Sequence, residues 1–207
     1  MPITFAVPPA GVAAALAETL PQLGRSAAIE MRAPAITEAA GRFALGDQLN
    51  VARNLEEVAA SDAIATPVYV LGLDQLIAGN VAAGAKLALW AHIMPTNAGA
   101  VSAEVSAADT KFAQISNGIA IGRFRNAVTR MATEEAVEGG ADGEVAQLRI
   151  PALQLTLLWL RKAGADSFEP LEVSSPALEV GRHYSEKELV AALHDEAQAR
   201  AAGQGDG

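Results

Sequence analysis

The clearest hydrophobic pattern in the chain lies between Leu148 and Val173, where an apolar run, a turn signal and a second extended run follow one another as LRIPALQLTLLWLRKAGADSFEPLEV. Leu153, Leu155, Leu157 and Trp159 take alternate positions and Gln154 and Thr156 fall between them, the period of a strand with one face on a core. A run of this length is also compatible with a buried helix. Thr156, Trp159 and the place of Pro151 at the start of the run favour the extended form. This strand, a turn at 162–166 and a returning strand at 168–173 are the spine of the predicted fold.

Around this spine the same reading places the other elements. Ile3 to Val7 reads as a short edge strand, and Val12 to Leu20 as a helix stopped by Pro21. Residues 22–48 mix both periods and receive no assignment. Val51, Leu55 and Val58 share one face of a helix from about Leu49 to Ala60, with Asp47 where an N-cap can stand. Pro67 opens an extended segment, and a helical turn at 74–78 ends at Gly79.

Alternation over 86–94 and again over 101–107, with TNAGA between them, predicts a hairpin. Ile121, Phe124, Val128 and Met131 make the inner stripe of a helix whose other face carries Arg123, Arg125 and Arg130. Glu134 to Glu144, rich in glycine and without apolar period, reads as an acidic loop. Ser185 and Glu188 form a capping-box pattern, Tyr184 and Leu189 a hydrophobic staple, and the helix they open runs to Gly203.

The fold class expected from this order is α+β: a mostly antiparallel sheet of about four strands, made of two hairpins and covered by helices. Residues 1–65 are expected as a mainly helical N-terminal region, 66–203 as the α+β domain and 204–207 as a flexible tail.

Composition narrows the function classes. The 207 residues contain no cysteine, which removes disulfides, thiol nucleophiles and thiolate metal sites. A net charge of −9 argues against nucleic acid as a partner. No apolar stretch approaches the roughly 20 residues of a membrane helix, and the first residues lack the basic start of a secretory signal, so a cytoplasmic protein with no membrane contact is expected. Hydrophobic residues make up 51% of the chain but aromatic ones only 4%, so the core must be largely aliphatic.

Motifs with a mechanical meaning are absent: there is no GxSxG, GxxxxGK[ST], HExxH or GxGxxG. No cofactor and no metal site is expected. Of the three histidines, His183 and His194 read as solvated surface residues, while His92 stands inside a strand. Collecting all apolar positions of the 86–107 hairpin on one face pairs Ile93 with Ala103, Ala91 with Val105 and Leu89 with Ala107. That register sets His92 across from Glu104, Trp90 across from Ser106 and Met94 across from Ser102. A carboxylate beside an imidazole is an acid–base arrangement, so His92 and Glu104 are the candidate catalytic pair, with Trp90, Met94, Ser102 and Ser106 as candidate ligand-binding residues.

Two functions follow. The first is a non-enzymatic interaction or self-assembly module, a homo-oligomer or a partner of another protein, suited by strand edges and smooth Ala-rich surfaces. The second is a small-molecule enzyme or ligand-binding protein that uses the His92 and Glu104 pair on the concave side of the sheet.

Overall fold

The computed structural model describes residues 4–16, 18–19, 63–96, 99–138, 143–162, 164–172 and 175–203. The strands are β1 (Thr4–Phe5), β2 (Ile64–Val70), β3 (Lys86–Thr96), β4 (Gly99–Ser106), β5 (Phe112–Asn117), β6 (Glu144–Ile150), β7 (Leu155–Arg161), β8 (Ser167–Pro170) and β9 (Tyr184–Ser185). The helices are α1 (helical at 10–16), α2 (Leu73–Ile77), α3 (Val81–Gly84), α4 (Ile119–Glu138) and α5 (Glu186–Gly203). The predicted helix at 49–60 lies outside the described residues.

The nine strands among the described residues belong to one sheet in the order β5-β4-β3-β2-β6-β7-β8-β9, with β1 parallel to the start of β6. This corrects the expected fold: the sheet has nine strands rather than about four, and it is mixed rather than a pair of antiparallel hairpins. The first residues open with a strand of that same sheet and are not a mainly helical region. β2 and β6 run parallel, with Val68 to Val70 beside Gln147 to Arg149. A parallel pair needs a crossover, and α4 is its last leg, returning the chain across the sheet from its β5 edge to its centre.

Three features obscured the larger sheet. The extended segment expected from Pro67 is part of β2, but it stands in the middle of the sheet, an unusual place for a proline, which cannot donate to a ladder. It sits one residue before the parallel ladder with β6 begins at Val68, on a stretch paired only with β3. In β5, Phe112 and Ile115 lie three apart, yet both pack on the Trp90 cluster; the register shift opposite Glu104 and Val105 inserts one extra residue and brings them to the same face. β6 straddles the junction between the expected loop, which ends at Glu144, and the apolar run that begins at Leu148, and Gln147 and Arg149 interrupt its apolar pattern. The spine therefore contains a hairpin that the alternation did not reveal. Ile150 leads into a 3-10 turn at Pro151–Leu153, closed by Gln154 at φ 51°, before β7 begins. The 134–138 segment, expected as loop, is the end of α4.

The core lies on both faces. On one, Leu148, Leu157, Trp159 and Phe168 meet Leu73, Leu76, Leu189 and Leu193 from α2 and α5. Further along that face, Val12 and Leu16 of α1 cover Trp90, Met94, Val101 and Val105. On the opposite face, Phe124, Val128 and Met131 of α4 pack on Ile93, Val145, Leu158 and Leu160, the stripe that the helical spacing predicted. β7 is thus apolar in both directions, as a central strand must be.

The α5 start matches its sequence signals. Glu188 Oε2 accepts the Ser185 N–H at 2.8 Å, and Ser185 Oγ accepts the Glu188 N–H at 3.3 Å. Tyr184 and Leu189 are both buried in one cluster. Glu186 Oε1 reaches away to accept the N–H groups of Val81 at 2.7 Å and Ala82 at 3.0 Å, tying the α3 start to α5. No helix among the described residues is long and apolar enough to cross a membrane.

Candidate functional site

The β3–β4 hairpin forms, but one residue out of the expected register. Trp90 faces Val105, Ala91 faces Glu104, His92 faces Ala103 and Met94 faces Val101. The ladder continues to Thr96 opposite Gly99, leaving two residues between the strands rather than the five of TNAGA. A change of one residue moves a whole strand to the other face. His92, Trp90 and Met94 therefore lie on the α1 side of the sheet, while Ser102, Glu104 and Ser106 point to the α4 side. The expectation that His92 and Glu104 stand opposite each other is overturned, and the enzyme reading loses the pair on which it was built. Trp90 and Met94 are core residues against Val12 and Leu16. Ser106 Oγ accepts the Ala108 N–H at 3.3 Å, in the turn after β4.

Of the candidate residues, only Ser102 and Glu104 come together, and they do so with partners from other strands. Glu104 is fully buried. Arg149 grips its carboxylate with both terminal nitrogens, Nη2 to Oε1 at 2.6 Å and Nη1 to Oε2 at 2.9 Å. Gln114 Nε2 donates to Oε2 at 2.9 Å, and the Ser116 and Ser102 hydroxyls donate to Oε1 at 3.3 and 3.4 Å. Five donors converge on one carboxylate. Burial by itself pushes the Glu104 carboxyl up, but the hydrogen bonds and charge of Arg149, with Gln114 and Ser116, outweigh it and hold the group below the usual carboxylate range.

This bridge describes the shape of the sheet. β4 and β6 are separated by β3 and β2, so in a flat sheet they would stand roughly 14 Å apart at three strand spacings. Arg149 and Glu104 meet because the sheet curls toward α4, and because the residue beside Glu104 on β3 is the small Ala91. The concave side of the sheet is therefore where Glu104, Arg149 and their polar partners gather, and His92 is not among them.

Beside the ion pair, under the first turns of α4, lies a cleft of about 240 Å³. Arg149, Gln147 and Thr156 form its polar wall, and Ile121, Phe124 and Leu171 its apolar wall. Gly118 stands at its rim with φ 145°, a conformation open to glycine and strained for other residues. Arg149 Nη2 also donates to Gln147 Oε1 at 3.3 Å. Two of the helix arginines hold α4 over the cleft: Arg123 Nη1 donates to the Leu171 carbonyl at 2.9 Å, and Arg130 Nη2 pairs with Glu169 at 2.7 Å.

Arg149, Gln147, Gln114, Ser116 and Thr156 were not singled out from the sequence. Four of them carried a signal: Ser102/Glu104, Gln114/Ser116 and Gln147/Arg149 are three polar pairs at i, i+2, each in a segment whose other residues are mostly apolar. Such a pair marks a polar stripe on one face of a strand, and three stripes in one sheet can meet.

His92 has a different environment. Its Nε2 is buried without a hydrogen-bond partner, and burial pushes the imidazole below its usual value. Of the other histidines, His183 Nδ1 meets Ser167 Oγ at 3.3 Å, with Nε2 3.6 Å from Glu169, and His194 Nε2 meets Gln198 at 2.9 Å. Among the described residues, no three His, Asp or Glu side chains converge in a metal-binding arrangement. Comparison with known proteins finds no match to a family model, to a curated protein or to a solved structure.

Proposed function

We propose that this protein binds a small molecule without transforming it, in the cleft between α4 and the concave face of the sheet. The observation that carries the reading is the state of Glu104, the buried carboxylate held by Arg149 of the cleft wall. Glu104 has all its acceptor positions engaged by five donors, and its depressed pKa keeps it ionised, so it is ill suited to shuttle a proton. Its work is to fix Arg149, which in turn fixes Gln147 on the cleft wall. A rigid, hydrogen-bonded wall facing an apolar one is the usual build of a small-molecule site. The test is mass spectrometry of the protein under native and then denaturing conditions. A released compound of fixed mass, absent from the Ile121→Trp variant whose larger side chain fills the cleft, is the expected outcome. Protein that carries nothing, and whose melting temperature no compound in a metabolite library raises, would overturn the reading.

One observation favours a second role, self-association. β5 ends the strand order, and its six residues, FAQISN, include no charge and no proline to discourage pairing with another chain. Antiparallel pairing of two β5 edges would close a two-fold dimer. Light scattering at micromolar concentration should then report more than 21.3 kDa. Ala113→Lys, at an exposed edge position, should return it to that mass. A monomer before any substitution would remove this role.

A further inference from the structure

Resting on the binding role proposed above, we infer that the cleft selects an uncharged carbonyl compound with a short branched aliphatic body, and discriminates against the matching carboxylate. Two observations carry this choice, and the first is charge. Among the described residues Arg149 is the one cation lining the cleft, and both of its terminal nitrogens already hold Glu104. The wall also contains Glu172. A ligand carboxylate would thus meet one guanidinium set against two carboxylates, in a chain of net charge −9. It would give up its hydration for no net attraction.

The second observation is an oriented donor. Gln147 is only 4% exposed, and its Oε1 accepts from Arg149. An arginine nitrogen cannot accept a hydrogen bond, so the guanidinium settles which end of the amide faces it and turns Nε2 the other way. Among the described residues Nε2 has no partner, and it is not one of the sealed polar atoms of the interior, so it opens on the cleft that Gln147 lines. A donor held in place without an acceptor suits a ligand carbonyl oxygen. At this position an ammonium group would face that donor and the Arg149 guanidinium, with Glu172 elsewhere on the wall. Ile121, Phe124 and Leu171 then receive the aliphatic part of the ligand, whose burial supplies most of the affinity.

Three probes with one carbon skeleton separate the possibilities: isovaleramide, isovalerate and isoamylamine. Each is titrated into isotope-labelled full-length protein, while NMR follows the Gln147 side-chain amide and the Ile121 and Leu171 methyls. Isovaleramide should shift all three saturably and bind at least about tenfold more tightly than either charged probe, the ratio expected from one unpaired polar group. Gln147→Leu should lower isovaleramide affinity about tenfold and bring its affinity close to that of the charged probes. If Gln147→Leu fails to fold, the three titrations on the unchanged protein decide the matter alone, and Ile121→Trp should abolish every shift. Isovalerate or isoamylamine binding as tightly as the amide would overturn the ligand class and leave the binding role standing. No response to any of the three, with no other compound found for the cleft, would overturn both.

Discussion

The two faces of the sheet solve the same packing problem in opposite ways. On the α5 side, Trp159 and Phe168 stack with ring centroids 5.6 Å apart, Tyr69 meets Trp159 edge-on at 5.1 Å, and leucines fill the rest. On the α4 side, the concave centre is occupied by a carboxylate, a guanidinium, two amides and two hydroxyls, with a cleft next to them. The difference teaches where specificity can reside. A dry face tolerates any side chains of the right volume. A hydrogen-bonded face tolerates few changes, because each buried polar group depends on a named partner.

Trp159→Ala is the largest expected effect. The indole is 1% exposed and touches two other rings, so its removal should cost about 3 to 5 kcal/mol in denaturant unfolding. Its Nε1 has no hydrogen-bond partner, so the loss is one of packing and of the Arg161 guanidinium's contact with the ring at 4.9 Å. No second substitution on the dry face should restore it. A loss under about 1 kcal/mol would mean that this face is not the main source of stability.

Arg149→Met tests the other half of the comparison. It leaves the Glu104 carboxylate buried without its counter-ion, a defect worth roughly 3 to 5 kcal/mol, and the lower end applies because the Arg149 side chain is 23% exposed. Here a second substitution should rescue: Glu104→Gln removes the orphaned charge, and Arg149→Met with Glu104→Gln should recover most of the loss. A double-mutant cycle measures the coupling. Additive losses would show that the two residues act independently and that the polar face is no network.

How much of this was legible in the sequence depends on which side of the strand a residue faces. The α4 stripe, the α2 turn ended by Gly79 and the capping box at Ser185 are local features, each decided within a few residues, and they are found where the spacing placed them. The strands whose place in the sheet was not foreseen are those whose pattern is set by distant partners. β5 loses its alternation to a bulge, β6 carries polar residues that a curled sheet conceals, and β2 contains a proline that is tolerated only because β6 pairs with it one residue later. The candidate site failed for a related reason. The register that collected every apolar residue on one face assumed a single buried face, whereas Ala91 and Ile93 are buried on the α4 side and Trp90 and Met94 on the α1 side. With both faces buried, apolar residues no longer choose the register. Glu104 was reached by that reasoning, but Arg149, its real partner, lies on a strand 45 residues away.

A smaller change tests the local features. Ser185→Ala should destabilise by about 1 kcal/mol and Ser185→Gly by a few tenths, since glycine leaves the N-terminal N–H groups open to water. Equal losses would mean that the Ser185 hydroxyl is not what stabilises the α5 start. Neither variant should alter ligand binding, because α5 lies on the face away from the cleft.

The smallest effect concerns two residues one strand apart with opposite surroundings, His92 without a partner for Nε2 and Glu104 with five donors. Both pKa values are lowered on folding, so for each the unfolded chain binds the proton more readily, and stability falls as the pH falls. The windows differ. His92 is neutral in both states at high pH and contributes nothing there. Below its unfolded value of 6.5 the unfolded chain gains a proton that the folded one resists, and the loss continues until the folded group also titrates. Glu104 contributes its full stabilisation above the unfolded value of 4.5, and loses it as the pH drops through the lower folded value. Urea midpoints measured from pH 8 downward should therefore show a first decline beginning near 6.5 and a steeper one below 4.5. His92→Leu should flatten the first decline alone, and Glu104→Gln the second alone. If His92→Leu left the upper decline unchanged, the imidazole would not be held neutral by its place in the sheet. If Glu104→Gln left the lower one unchanged, the carboxylate at the cleft would not be stabilised by Arg149 in the way the geometry requires.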